Sequence, residues 1–304
     1  MDRRWREVTD GGLETDLIFH RGADLPEFAA YPLLRTDEGR ALLRSYYEGY
    51  AAIAEAAGAG LRLESPTWRA NPDWGAVLGD DAGALDDVNR AAIDFLQTLA
   101  TEWVDRVDGV TVVGMIGPRG DGYAAGSASS ADEAVEYHAG QVASFSAAGA
   151  DQVSALTMTD THEALGVARA AAAAGIPAVI SFTVETDGRL PDGTPLGEAV
   201  TTVDEDTSPA YFMVNCAHPQ HVLPAFANAG AWAGRIHGLR SNASRQSHAE
   251  LDQAETLDEG DLVLLVSAHR ALEGHLPALQ VVGGCCGTDA RHVAALWGVE
   301  TPVT

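Results

Sequence analysis

Lysine is absent from this chain. All 19 Lys/Arg positions are arginine, set against 44 acidic residues, and the formal net charge is −25. That balance leaves no basic footprint for nucleic acid and works against an anionic membrane surface. It fits either a salt-rich habitat or a compositional bias, since alanine is abundant where lysine is missing. Long apolar runs are missing too. The longest alanine run, residues 170–174, falls far short of the roughly 20 residues of a transmembrane helix. Residues 1–7 lead into no apolar signal segment. Cysteine is scarce: there are three, an odd number, which without an export signal suits reduced thiols rather than disulfides. These absences predict a cytoplasmic protein that works on small molecules, with no nucleic acid and no membrane. A homo-oligomer is compatible with them.

What is present is a rhythm. Hydrophobic residues make up 46% of the chain, an ordinary supply for a core. Short apolar runs predict strands at 8–12, 60–65, 110–116, 151–156, 178–184, within 207–215, at 235–239 and at 280–284. Between them, amphipathic stretches predict helices at 40–57, 85–107, 131–148, 162–174, 219–229 and 289–297, with two further helical pieces in 250–276. Residues 185–197 read as a turn-rich insert. Eight strands alternating with helices predict a (β/α)8 TIM barrel, one domain over residues 1–304. The competing fold is an open doubly wound sheet. It would favour a glycine-rich nucleotide loop after the first strand, and Gly11-Gly12-Leu13-Glu14-Thr15 lacks the third glycine.

The three cysteines fall at strand ends. Cys216 closes the run Tyr211-Phe212-Met213-Val214-Asn215, and Gly283-Gly284-Cys285-Cys286-Gly287-Thr288 follows Leu279-Gln280-Val281-Val282. In a barrel the loops after the strands share one mouth, so three thiolates distant in sequence converge. Three protein ligands with a fourth position open is the catalytic zinc pattern, and four closes a structural site. Soft thiolates select zinc, copper(I) or iron–sulfur chemistry. Three thiolates make a zinc ion a poor activator of water, yet a thiol that coordinates it is deprotonated outright. The glycines around the vicinal pair let adjacent residues turn toward one ion. Buried cysteines acting as small apolar residues and a vicinal disulfide are the alternatives.

These motifs resemble those of the homocysteine S-methyltransferases, a family that includes the betaine– and S-methylmethionine–homocysteine methyltransferases. Besides Asn215-Cys216 and the glycine-flanked cysteine pair, the matching segments are Asp10-Gly11-Gly12-Leu13-Glu14-Thr15, Glu64-Ser65-Pro66-Thr67-Trp68-Arg69-Ala70 and Gly114-Met115-Ile116-Gly117-Pro118. The resemblance runs from Asp10 to about Trp297. The resemblance implies a zinc barrel that moves a methyl group from a sulfonium donor (S-methylmethionine or S-adenosylmethionine) or a betaine-type donor onto homocysteine, giving methionine. It implies Zn2+ on Cys216, Cys285 and Cys286, with Asp10, Gly11 and Gly12 cradling the amino-acid end of the acceptor. Asn215 would support the ligand loop. Asp10 and Glu64 are the candidate catalytic groups, the plainer readings being a turn residue for Asp10 and a salt bridge to Arg62 or Arg69 for Glu64, and Gly11, Gly12, Thr157 and Asn215 are the candidate substrate contacts.

Two departures bear on substrate. Leu156 stands where the family carries a glutamate after the fourth strand, expected to bind the homocysteine amino group. Either Asp160 or Glu64 takes over that task, or the acceptor is another thiol or selenol. Ser241-Asn242-Ala243-Ser244 replaces a Pro-Asn-x-Gly pattern. A zinc- or thiol-binding protein without catalysis is the reading from another class. His218 and His221 read as surface or supporting groups. Trp68 and Tyr123 read either as packing or as part of a cage for a methylated cation. Gly114, Gly117 and Gly120 lack the lysine and helix start of a phosphate loop.

Overall fold

Eight parallel strands close on themselves in sequence order. They are β1 (Glu7–Val8), β2 (Gly60–Glu64), β3 (Val110–Ile116), β4 (Gln152–Met158), β5 (Ala178–Phe182), β6 (Tyr211–Ala217), β7 (Ile236–Ser241) and β8 (Val281–Gly284), and β1 pairs with β8 to complete the ring. The computed structural model describes residues 5–123 and 130–302. Every residue of β2, β5 and β8 is buried, as a sheet covered by helices on its outer face requires.

The helix after each strand is α1 (Asp37–Ala57), α2 (Ala82–Trp103), α3 (Ala131–Ala147), α4 (Thr161–Ala174), α5 (Leu196–Thr207), α6 (Pro219–Val222), α7 (Leu262–Glu273) and α8 (Ala290–Trp297). Their ends follow from local chemistry. The Thr36, Asp160 and Asp289 side chains accept N-terminal amides of α1, α4 and α8, and left-handed Gly58, Gly175 and Gly298 end the same three helices. Ser130 and Glu133 form a capping box on α3.

The predicted barrel is the observed one, with local differences. β1 is shorter than expected because residues 10–12 leave the sheet to pack against the loop after β8. The Gly284 amide donates to the Asp10 carbonyl (2.8 Å) and the Gly12 amide to the Thr288 carbonyl (2.9 Å). The sequence reading passed over α5, where Leu196, Ala199, Val200 and Val203 form a buried stripe among acidic and threonine residues. It also passed over the short helix Pro72–Leu78. The predicted helix at 219–229 stops at Val222 and continues as 3-10 turns. The two pieces expected in 250–276 are His248–Asp252 and α7. No helix among the described residues is long and apolar enough to cross a membrane.

Val179, Met213 and Val281 form a small apolar cluster apart from the main core. Gly238 is required beside it, since a Cβ there would lie 2.5 Å from the Met213 side chain. Nearby, charged residues cross between strands that are not neighbours. Arg62 of β2 donates to Glu64 (3.0 Å) and to Gln152 of β4 (2.8 Å), and Glu64 pairs with Arg240 of β7. β2 and β7 share no edge in the ring, so this pairing spans the barrel interior.

Strand β3 approaches α3 closely at Gly114, where a Cβ would meet the Phe145 ring at 2.3 Å. Gly114→Ala is expected to cost about 1–3 kcal/mol through overpacking. Gly140 of α3 has open space around its missing Cβ, so Gly140→Ala is expected to stabilise by about 0.5–1 kcal/mol. Denaturant unfolding of the two variants beside the wild type checks the pair, and equal effects of the same sign would contradict it.

Candidate active site and metal centre

The loops after β1, β2, β3, β7 and β8 and the carboxyl ends of β4 and β6 surround a cavity of about 400 Å³ at the mouth of the barrel, and its lining includes all three cysteines. The sulfur atoms of Cys216, Cys285 and Cys286 lie within 4.8 Å of one another, with Cys216 and Cys286 3.5 Å apart. Tetrahedral bonds of about 2.3 Å would place ligand sulfurs roughly 3.8 Å apart. The donor set, the spacing and the burial therefore fit a zinc ion held by these three residues. Without a metal the three thiols share hydrogen bonds. Those from Cys216 and Cys286 hold the Cys285 thiol well below its usual range against the effect of burial, and the Arg240 charge adds to this. Cys216 is pushed well above its usual range by its hydrogen bonds to Cys285 and Cys286 and by burial.

Backbone contacts aim these side chains. Cys216 has φ of 56° and Thr157 of 62°, left-handed values that side-chain-bearing residues adopt only when their surroundings enforce them. Asn215 supplies part of that enforcement for Thr157. Its Oδ1 accepts from the Thr157 amide (2.8 Å) and the Ser181 hydroxyl (2.6 Å), and its Nδ2 donates to Thr157 Oγ1 (2.8 Å). The Cys216 carbonyl is held by Asn242 Nδ2 (3.1 Å) and by the His248 ring (2.8 Å), whose other nitrogen meets Glu185 (2.9 Å). The loop after β8 is equally constrained. Gly284 has no room for a Cβ, which would fall 1.9 Å from Thr288 Oγ1, and that hydroxyl donates to the Cys285 carbonyl at 2.7 Å. Gly12 is needed because a Cβ would meet the Cys285 carbonyl at 2.6 Å. The glycines of both motifs thus serve close approach of two loops, beyond the turning freedom expected of them.

Of the other sequence candidates, Gly11, Gly12, Thr157 and Asn215 line the cavity. Asp10 and Glu64 lie behind its wall, 2% and 0% exposed. Both carboxylates pair with Arg240, which also donates to the carbonyls of Gly284 (3.0 Å) and Gly11 (3.1 Å). Asp10 is pushed up by burial, an effect that Arg240 and the Tyr46 hydroxyl oppose. Leu156 lines the cavity, and Asp160 is occupied as the N-cap of α4. His218 caps α6 and stands outside the thiol cluster. Trp68 and Tyr123 both reach the cavity. The Tyr123 hydroxyl lies 3.4 Å from the Cys216 sulfur, and its ring stacks on His248 at 4.4 Å. Sequence reasoning missed Arg240 and His248. An arginine alternating with Gly238 in the short strand β7 was a readable signal for an inward charge; His248 had none beyond its capping-box neighbours. A second cluster, Asp16, His20 and Asp289, also brings ligand atoms within 4.8 Å. Its carboxylates are already answered by Arg21 and Arg291.

Fold and site together define a (β/α)8 barrel protein whose reactive groups are three thiols at the carboxyl mouth. A profile of the homocysteine S-methyltransferases matches residues 7–298, and the chain belongs to that family. Homocysteine S-methyltransferase YbgG of Bacillus subtilis (strain 168) is 26% identical over 210 residues. The match covers 64% of this chain and 63% of YbgG, under two thirds of that relative's length. The metallated form of homocysteine methyltransferase MmuM from Escherichia coli has a similar fold, with a TM-score of 0.75 at 20% identity over 98% of this chain and 96% of that one. Its apo form gives 0.68 at 19% identity over the same shares.

Arg240→Met would leave Asp10 and Glu64 buried with one partner fewer. Breaking a buried pair in this way costs about 3–5 kcal/mol, so the variant is expected to unfold at markedly lower denaturant. A loss below about 1 kcal/mol, within the range of a surface ion pair, would show that the network relaxes without its arginine.

Proposed function

We propose that this protein is a zinc-dependent thiol S-methyltransferase that transfers a methyl group from a sulfonium or betaine-type donor to homocysteine, giving methionine. The observation that carries the reading is the convergence of three cysteine sulfurs within 4.8 Å on the wall of a cavity large enough for small substrates. Family membership adds the reaction class. A zinc ion bound by Cys216, Cys285 and Cys286 would supply one chemistry, holding the acceptor's thiol in its deprotonated form.

The remaining work falls to the chain. A lone pair on the acceptor sulfur forms the new S–C bond as the donor's S–C or N–C bond breaks, and the donor's onium centre leaves without its positive charge. An anionic sulfur and a cationic methyl donor lose opposite charges together, so walls that exclude water favour the step. Leu156 and Met115 supply apolar wall, and Trp68 and Tyr123 place aromatic groups along it, where a ring face attracts an onium group. The ties from Asn215, Asn242 and His248 hold the cysteine loops so that acceptor and donor meet aligned, which lowers the entropic part of the barrier. Asp10 and Glu64 act through Arg240, which braces the loops after β1 and β8. Three unbridged cysteines suit a reducing compartment, so the reading carries a cytoplasmic location with it.

Zinc content per chain and methionine formation from homocysteine, with S-methylmethionine, S-adenosylmethionine and betaine in turn, test the proposal. About one zinc per chain and turnover with one donor are expected. Cys285→Ser is expected to lose most bound zinc and nearly all turnover, and full zinc with full turnover in that variant would overturn the assignment. One zinc with no turnover by the wild type would move the acceptor to a different thiol or selenol.

A further inference from the structure

The cavity wall carries two opposite charges that the protein itself leaves unanswered. Glu14 lies in the short helix Leu13–Thr15, directly after Gly11 and Gly12, and lines the cavity. Among the described residues its carboxylate has no ion pair, and the only hydrogen bond it takes is from its own backbone. Burial, with a smaller contribution from neighbouring Asp10 and Cys285, pushes it up to about 7, so an arriving cation would favour its ionised form. Arg69 lines the same cavity. Its guanidinium is stacked over Trp74 at 3.7 Å and near Trp68 at 4.9 Å, yet Nε and Nη1 are buried with no hydrogen-bond acceptor. Stacking fixes the plane of the group without satisfying its N–H donors, which accept nothing and need a carboxylate or carbonyl. Burial works against the charged form of Arg69 and the fields of Asp121 and then Glu14 favour it, but neither carboxylate forms an ion pair with it among the described residues.

The other charges around the cavity are accounted for. Arg240 is neutralised by Asp10 and Glu64. Asp258 accepts from the Ser244 hydroxyl and the Gly260 amide, Asp121 accepts the Tyr123 amide, and Asp252 is exposed. At the end of β4, Leu156 offers only hydrocarbon. Asp121, Asp252 and Asp258 have no ion pair either among the described residues, but solvent or hydrogen bonds serve them, so Glu14 and Arg69 are the lining carboxylate and guanidinium left without a side-chain partner beside the thiol cluster. A buried, unanswered charge is costly, and a ligand bearing both signs at one end relieves both.

We propose that Glu14 and Arg69 form a zwitterion clamp: Glu14 takes the α-ammonium and Arg69 the α-carboxylate of a thiol amino acid whose sulfur reaches the cysteines. This rests on the methyl-transfer reading of the same cavity and names its acceptor class. It also assigns the ammonium contact to the β1 loop rather than to Asp160 or Glu64, whose carboxylates are committed elsewhere.

The test is calorimetric titration of zinc-loaded protein with three thiols: homocysteine, 4-mercaptobutanoate, which lacks the ammonium, and 3-aminopropane-1-thiol, which lacks the carboxylate. Glu14→Gln is expected to weaken homocysteine roughly 10- to 100-fold, the range of a hydrogen bond to a charged group, and to leave 4-mercaptobutanoate unchanged. Arg69→Gln is expected to weaken homocysteine similarly and to leave 3-aminopropane-1-thiol unchanged. Equal weakening of all three thiols by either variant would overturn the clamp. So would a Glu14→Gln enzyme whose KM rises for the methyl donor alone, because Glu14 would then face the donor's cation. Wild type that turns homocysteine over while Glu14→Gln binds it equally well overturns this inference and spares the reaction. Wild type that shows the expected thiol pattern but transfers no methyl group from any donor supports the clamp and overturns the reaction.

Discussion

Arg240 is the residue on which the site's construction turns. A guanidinium 3% exposed can exist at that depth only if its charge and donors are answered. The answers come from three different strand ends. Asp10 follows β1, Glu64 ends β2, and the carbonyls of Gly11 and Gly284 belong to the β1 loop and to β8. Glu64 in turn holds Arg62, which reaches Gln152 across the barrel. Two acids and two arginines balance the charge of this network, and no member can be removed alone without stranding its neighbour. The network costs desolvation, and replacement by hydrocarbon can be no less stable. What it supplies here is position: it locks the loops after β1 and β8, and the β8 loop carries two of the three cysteines.

Above that layer the site is assembled from backbone rather than from long side chains. The end of β6 is left-handed at Cys216, whose carbonyl is tied by Asn242 and His248. The loop after β8 interlocks with the β1 loop through amide-to-carbonyl bonds and glycines too crowded for any side chain. These contacts set the separation of the sulfurs through the backbone, so a metal bound there would need little reorganisation of its ligands. Preorganisation of that kind matters because a ligand sphere that must be rebuilt on binding spends affinity on ordering its own groups.

At the substrate end the resemblance led to an expected carboxylate where this chain has Leu156. The carboxylates nearest in expectation, Asp160 and Glu64, are committed to capping a helix and to pairing with arginines. The cavity nevertheless retains an unpaired Glu14 and an unpaired Arg69. A fold can keep its metal ligands while moving the groups that read the substrate's charge from one strand end to another, because all the strand ends open onto the same mouth.

The barrel and the thiol cluster were legible in the sequence. Alternating apolar runs and amphipathic stretches specify parallel strands covered by helices, and closure then forces Cys216, Cys285 and Cys286 to one end. The small elements were less legible, because helices such as Leu196–Thr207 hide a buried stripe among polar residues. Arg62, two residues back on the same strand, was a legible partner for Glu64, but Arg240, which answers both Asp10 and Glu64, was not. Both stand beside glycine or serine at strand ends, where an open mouth and a buried ion pair leave the same signature, and Arg240 lies 176 residues from Glu64. The sequence by itself determined which strands form, in what order, and which loops carry the sulfurs, since these depend on periodicity and on strand ends. Only the tertiary structure decided which charges cancel inside the barrel and which, at Glu14 and Arg69, are left facing the cavity, because charge pairing depends on distances between strands that share no local pattern.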